Sequence, residues 1–446
     1  MTPVGGRKVG HPGGVLAIAA RSALAAGMVL AAVSAQSETL VDAWRIASEQ
    51  DLSLAAAESR IAAAEADLGA ASAERRPRVA ATASLLELDS APGFDFSAAG
   101  LPLEMPLLDG STLKTAAATV TLPVYTSGMT GAGIDAARAS LDAERRAAAA
   151  LSQQVRLAVA ERYIGVLRAD SALVVADSNV ASLAAHVREV EDMYQAGSVP
   201  RNDYLAAAVS LADAEQRRLQ AQNSLAVARA AYNRALGRAL DEPFELEAEL
   251  PPVDPRIGRQ TAEALTGLAL VQRDEPGRLE SAADALAARA ESAAAAAGPQ
   301  LSLTGGYRWL ENEFLTRDDY WMLGVGIEWS LFDGGRARNR ASALSLQSEA
   351  LKRQRRDLQS MIALDVRQAW LTRDESERRV TVTERALEQA EENLRVTRDR
   401  YRNGEGANSD VLDAEALRSM SLYNHDAARY DAALARYRLG YAVGLL

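Results

Sequence analysis

The 446-residue sequence predicts a mainly α-helical protein with a small transmembrane β part, and three observations carry that fold class. Hydrophobic residues make up 48% of the chain but aromatics only 5%, and alanine crowds the long helical runs, which suits helices packed closely along their length. Two short stretches alternate with a period of two, as strands do. The whole order of elements then occurs twice, at a constant spacing.

The first residues carry Arg7, Lys8 and Arg21 around the apolar run SALAAGMVLAAV and end in Val33-Ser34-Ala35. That pattern reads as a secretory signal peptide over 1–35. A membrane anchor fits less well, because the uncharged stretch from Ser22 to Ser37 is only 16 residues, against the ~20 of a spanning helix. No cysteine is present, which excludes a disulfide scaffold, thiolate metal sites and an acylated N-terminal cysteine. Without the signal the balance is 46 basic to 60 acidic residues, or −14, which argues against a nucleic-acid partner.

A first unit, 36–237, begins with an alanine-rich helix over 39–76, ended by Pro77. A β-hairpin follows over about 78–125, with Val79, Ala81, Ala83 and Leu85 on one face of its first strand and a loop holding Pro92, Pro102 and Pro106. Helix then runs from 134 to 194, roughly 90 Å at ~1.5 Å per residue, breaks at YQAGSVPRNDY, and resumes over 202–236. A proline-rich linker, 238–258, leads to a second unit, 259–446. There the programme recurs: helix over 261–297, a hairpin over about 300–332, the turn LFDGGR, helix to 402, a break at YRNGEGANSD, and helix to the C-terminus. At a spacing of 207 Gly128 falls on Gly335, Tyr163 on Trp370, Tyr194 on Tyr401, Asp203 on Asp410 and Gly237 on Gly444, so the halves read as an internal duplication.

The second hairpin says most about the environment. In YWMLGVGIEWSLF, Trp321, Leu323, Val325, Ile327, Trp329 and Leu331 share one face, and Met322, Gly324, Gly326, Glu328 and Ser330 the other. An apolar face with aromatics near its ends suits a strand between lipid and lumen; a sandwich strand packed on a protein core is the alternative. Four strands cannot close a barrel, and open edges in lipid leave backbone groups unsatisfied, so the strands must be shared among two, three or four copies.

At this point the residues resemble the TolC-like outer-membrane efflux channels over nearly the whole exported chain. The marks are the opening ETLVDAWRIASEQDLSLAAAESRIAAAEADLGAASAERRP, the turn LFDGGR, the stretch YRNGEGANSDVLDAEA and the tail YDAALARYRLGYAVG. The resemblance implies a homotrimer in the outer-membrane lipid, with four strands per chain in a twelve-stranded barrel on a periplasmic α-barrel of long helical hairpins. It implies a passive exit duct for a tripartite efflux pump or a type I secretion system, docked on a periplasmic adaptor (a membrane fusion protein) and an inner-membrane transporter. It makes Asp410 and Asp413 the aspartate rings of a gate at the helix tips, with Asp203, Tyr401 and Tyr194 among the residues there. Adaptor docking would use the tips at Gly197, Ser198, Gly404 and Gly406. The family's latch arginine falls on Gly406, so that closing contact is either absent or supplied by a neighbour such as Arg201 or Arg402.

Each of these residues also has a plainer reading. Asp410 and Asp413 are three apart and share a helix face, but Asp410 equally fits an N-terminal helix cap. Tyr194 and Tyr401 equally fit helix-packing aromatics. His186 and His425 sit singly on helices, facing solvent or a helix neighbour, and form no metal set; no cofactor is implied. KRQRRD, 352–357, reads as a solvated helix face. No nucleotide, nucleophile-elbow or zinc-protease motif occurs, so no catalytic residue is assigned and the chain is not expected to be an enzyme. An exported periplasmic coiled-coil or adaptor protein is the competing class; the lipid-facing tryptophan row argues against it.

Overall fold

The computed structural model describes residues 37–90, 93–97, 100–106, 111–258, 260–311 and 316–446; the expected signal peptide lies outside the described residues. The elements run α1 (Leu40–Gln50), α2 (Leu52–Ala73), β1 (Arg78–Glu87), β2 (Gly93–Asp95), β3 (Glu104–Pro106), β4 (Thr112–Tyr125), α3 (Met129–Gln195) and α4 (Arg201–Ala235). A short 3-10 turn, Pro255–Ile257, precedes α5 (Ala262–Gln272), α6 (Asp274–Ala295), β5 (Gln300–Leu310), β6 (Asp319–Glu328), α7 (Arg336–Arg402) and α8 (Asn408–Val443). Helices α3 and α7 each have 67 residues, about 100 Å of continuous helix.

Two stretches expected as single helices are each divided. Asp51 ends α1 in extended backbone and caps α2, its carboxylate accepting from the backbone N–H of Ser53 at 2.7 Å and of Leu54 at 3.1 Å. Arg273 is extended in the same way between α5 and α6, and Pro276 occupies the first turn of α6, where its missing N–H leaves no hydrogen bond unmade. The Asp-Leu-Ser sequence and the proline were legible signals; the alanine periodicity around them masked both.

The four long strands form one antiparallel sheet in the order β1-β4-β5-β6, so the two hairpins are joined through β4 and β5. Register puts the apolar residues on one face: Val79 opposite Val120, Leu122 opposite Leu303, Leu303 opposite Val325, and Tyr307 opposite Trp321. That face is bare, with Trp321 and Leu323 each 80% exposed. The other face is lined by small and polar residues, including Ser84 and Thr115, whose hydroxyls are 2.6 Å apart, and Arg308. Gly306 is required where β4 and β5 meet, since a Cβ there would stand 2.6 Å from the Ala118 carbonyl oxygen. Strand β6 ends at Glu328, opposite Gln300, the first residue of β5; with no further partner, Trp329 and Leu331 lie beyond the strand the alternation had suggested. The loop between β1 and β4, expected without structure, carries a small ribbon of β2 and β3 with Phe94 opposite Met105.

Helix α3 packs on α1, α2, α4, α6 and α8, and α7 on α5, α6 and α8. Buried Ala43, Ala47 and Ala160 let these backbones approach closely. Within the same core Tyr163 and Tyr232 meet edge to face at 5.9 Å, and burial raises both phenol pKa values, keeping the hydroxyls protonated. Both serve Glu38: the Tyr232 hydroxyl donates to its Oε1 at 2.5 Å, and the Tyr163 hydroxyl lies 2.7 Å from its backbone oxygen. Arg238 donates to Glu38 Oε2 at 2.8 Å, with both side chains largely buried. Glu38→Ala leaves that guanidinium and a tyrosine hydroxyl without their acceptor. It is expected to cost about 2 kcal/mol, read as a lower thermal midpoint of the purified protein.

Candidate gate at the helix tips

The hairpins α3–α4 and α7–α8 turn at the end of the long helices by the same device. Gly197 and Gly404 take left-handed backbone (φ 75 and 74), which glycine adopts without a Cβ penalty. The next N–H returns to the end of the helix, from Ser198 to the Met193 oxygen and from Glu405 to the Arg400 oxygen, each at 2.8 Å. Gly197, Ser198 and Gly404 are exposed. Gly406 is half-buried, and a Cβ there would approach the Tyr401 nitrogen to 3.3 Å, so the loop lies tightly against the end of α7.

Helix α8 then divides its residues by face. Val411 and Ala414 point into a small core with Val190, Ala207, Leu394 and Tyr401. Asp410 and Asp413 are exposed, while Leu412 is half-buried. Asp410 is also a cap: its Oδ2 accepts from the Ala407 N–H at 3.3 Å. Asp413 has no such role, and it lines a groove of about 880 Å³ between α3, α4 and α8. Asp203, half-buried, holds the matching place in α4.

The two tyrosines differ in their surroundings. Tyr194 is 40% exposed and stacks on Tyr204, with ring centroids 6.4 Å apart. Tyr401 is 4% exposed and its hydroxyl has no hydrogen-bond partner among the described residues. Burial, and then the charges of Asp203 and Glu189, raise its pKa.

His186 is the residue whose importance the sequence concealed. It is buried, its ring edge-on to Tyr401 at 5.7 Å. The Asn408 amide donates to the Asp203 backbone oxygen at 3.0 Å, so its Oδ1 is left to accept from His186 Nε2 at 2.8 Å. One asparagine thus ties α3, α4 and α8 together. Four residues up α3, Ser182 donates to buried Glu415 at 3.0 Å, and Arg398 of α7 pairs with the same carboxylate. The only hint in the sequence was helical spacing, with Ser182 and His186 four apart and Asn408 and Glu415 seven apart. Arg402 meets Glu189 of α3 at 2.6 Å, so of the two arginines near the glycine at 406 it is Arg402 that joins the hairpins.

Asn408→Leu removes both bonds of that bridge and strands the His186 nitrogen. The expected result is a tip loosened by about 2 kcal/mol, seen as faster proteolysis at 196–200 and 403–407, with His186→Gln, which keeps a donor, near the parent. Elsewhere, KRQRRD is mostly exposed, with Arg355 paired to Glu280 of α6. Among the described residues no set of three His, Cys, Asp or Glu side chains is gathered for a metal, and no helix is long and apolar enough to cross a membrane.

Hairpins that pair a 67-residue helix with one of 35 or 36 residues, running out of a sheet with one bare apolar face, place the protein in the class of outer-membrane channels with a helical periplasmic part. The chain belongs to the outer membrane efflux protein family, whose model matches residues 44–238 and 267–445. Its fold is similar to that of the outer membrane protein VceC of Vibrio cholerae, with a TM-score of 0.78 at 20% identity over 91% of this chain and 96% of that one. It is also similar to the open state of the MtrE outer membrane channel of Neisseria gonorrhoeae, with a TM-score of 0.73 at 19% identity over 91% and 88%. The alkaline protease secretion protein AprF of Pseudomonas aeruginosa is 24% identical over 307 residues, 66% of this chain; the chain spans about 62% of AprF's length. Family membership puts the strand sheet in the outer membrane and the long helices in the periplasm.

Proposed function

We propose that three copies of the chain form a passive exit duct for an efflux pump or a type I secretion system, gated where α3–α4 and α7–α8 turn. The observation that carries this is the sheet: its outer strands β1 and β6 each have an unpaired edge among the described residues, and its apolar face is bare. In lipid each unpaired edge group costs several kcal/mol, which closure with neighbouring copies removes. Three four-stranded sheets make a twelve-stranded barrel, wide enough for a lumen, where two copies would fill theirs with side chains.

The two halves, 36–237 and 259–446 joined by the linker 238–258, are read as copies of one unit. Helices α3 and α7 begin and end 207 apart, and α1 and α2 stand 222 from α5 and α6. The 15-residue difference is the extra length of the first hairpin. At the tips, Asp410 and Asp413 would become two stacked carboxylate rings in a threefold assembly, with Asp203, Tyr401 and Tyr194 among the residues of the same tips. The turns at Gly197, Ser198, Gly404 and Gly406, the first three exposed, are the proposed contact for a periplasmic adaptor, which would link the duct to an inner-membrane transporter. No catalytic group is assigned, and the energy for transport comes from that transporter.

The test is extraction of the full-length protein from membranes. A detergent-dependent, heat-resistant trimer is expected; a soluble monomer in a periplasmic extract would overturn the reading.

A further inference from the structure

The groove that Asp413 lines shares no residue with the small core at the tip. Its floor is α3, where Gly165, Ala172 and Ala176 keep the helix surface low, and its walls are α4 and α8. On the α8 wall Leu417, Met420 and Tyr423 follow Asp413 at helical spacing and are 42%, 56% and 48% exposed. These side chains are bare, yet they border a concavity of about 880 Å³, within the range of pockets that hold drug-sized molecules.

Charge decides what would enter. The groove contains two arginines, and each has a carboxylate partner: Arg168 pairs at 3.0 Å with Asp431, which also takes Arg379, itself beside Glu375, and Arg217 pairs with Asp213 at 2.6 Å. Asp413, exposed, makes no ion pair among the described residues, and Asp410 lies exposed one turn before it. The groove therefore offers an apolar wall, one tyrosine ring and an uncompensated carboxylate at one end. Such a set is complementary to a molecule with an apolar body and a positive charge.

We infer that this groove is a binding site for amphipathic organic cations, which cargo of that kind occupies in passing the aspartate gate. The inference rests on the reading of Asp410 and Asp413 as lumen residues, and it gives the duct a chemical preference of its own.

The test is block of potassium current through the full-length protein in planar bilayers, with tetraphenylphosphonium as the probe and tetramethylammonium as the cation without an aromatic body. Replacing Met420 and Tyr423 together by serine is expected to raise the half-blocking concentration of tetraphenylphosphonium about tenfold and to leave that of tetramethylammonium unchanged. Val174→Ser, at an exposed α3 position outside the groove, should change neither. Asp413→Asn should weaken both. If tetraphenylphosphonium block responds to Asp413→Asn but not to the Met420 and Tyr423 change, the carboxylate ring acts alone and the site is overturned. If Asp410→Ala with Asp413→Ala alters neither ion selectivity nor either block, the lumen reading beneath it falls as well.

Discussion

Arginine in place of Val325 is expected to abolish most of the heat-resistant assembly. Val325 stands in mid-strand opposite Leu303 and is 68% exposed on the face it shares with Trp321, Leu323 and Ile327. A charged residue at the bilayer midplane of a barrel strand costs about 2–4 kcal/mol. A symmetric assembly meets that cost once in every copy, whereas an arginine on a face left in water would meet none of it. Gly324→Ser supplies the contrast, since the position faces the opposite side and a Cβ there has nothing within 4 Å. Membrane extraction followed by unheated electrophoresis should show trimer for Gly324→Ser and little for Val325→Arg. Equal trimer yields would remove this face from the lipid.

Alanine at both Asp410 and Asp413 is expected to lower the cation-to-anion permeability ratio by about tenfold, measured as a shift in reversal potential under a salt gradient. Even at the dielectric constant of water a carboxylate attracts a cation at 4 Å by about 1 kcal/mol, and each ring presents several such groups at a constriction. The effect should shrink in concentrated salt, where the screening length falls to about 3 Å. The single changes should separate two roles. Asp410→Ala removes the acceptor of the Ala407 N–H as well as a charge, so it should also fray the start of α8. Asp413→Ala changes charge alone, because that side chain is exposed and holds no helix end. Unchanged selectivity in the double variant would take both residues out of the narrowest point.

The turn LFDGGR shows how far a local motif could be read. Asp333 accepts from the N–H groups of Gly335 and Ala337 at 2.8 Å each, and these bonds hold its carboxyl pKa below the ordinary value. The cap is therefore complete with the carboxylate ionised and is lost as pH falls through that lowered pKa. Its place as the entry to a long helix was legible because glycine, aspartate and the onset of helical spacing are neighbours in sequence. The same locality made the tips at Gly197 and Gly404 legible. It failed at Asp51 and Arg273, where a one-residue break is too short to disturb an alanine-rich pattern, and at β6, whose end depends on where β5 begins.

The pattern of residues by itself determined the long paired helices, the alternating strands with one apolar face, the repetition of the whole programme, and the exposed carboxylates after the second break. All of these follow from spacing within a segment, which sequence records directly. Only the tertiary structure decided that the two hairpins make one sheet, that Glu38 is clasped by Arg238 and two tyrosines, and that His186 reaches across to Asn408, 222 residues away in the chain. Tyr194 and Tyr401 occupy equivalent places in the two halves, yet one is stacked at the surface and the other buried beside a histidine. The physical reason is that a helix's own periodicity names the face that turns inward, while the partner it meets there is set by which other helix the fold brings alongside.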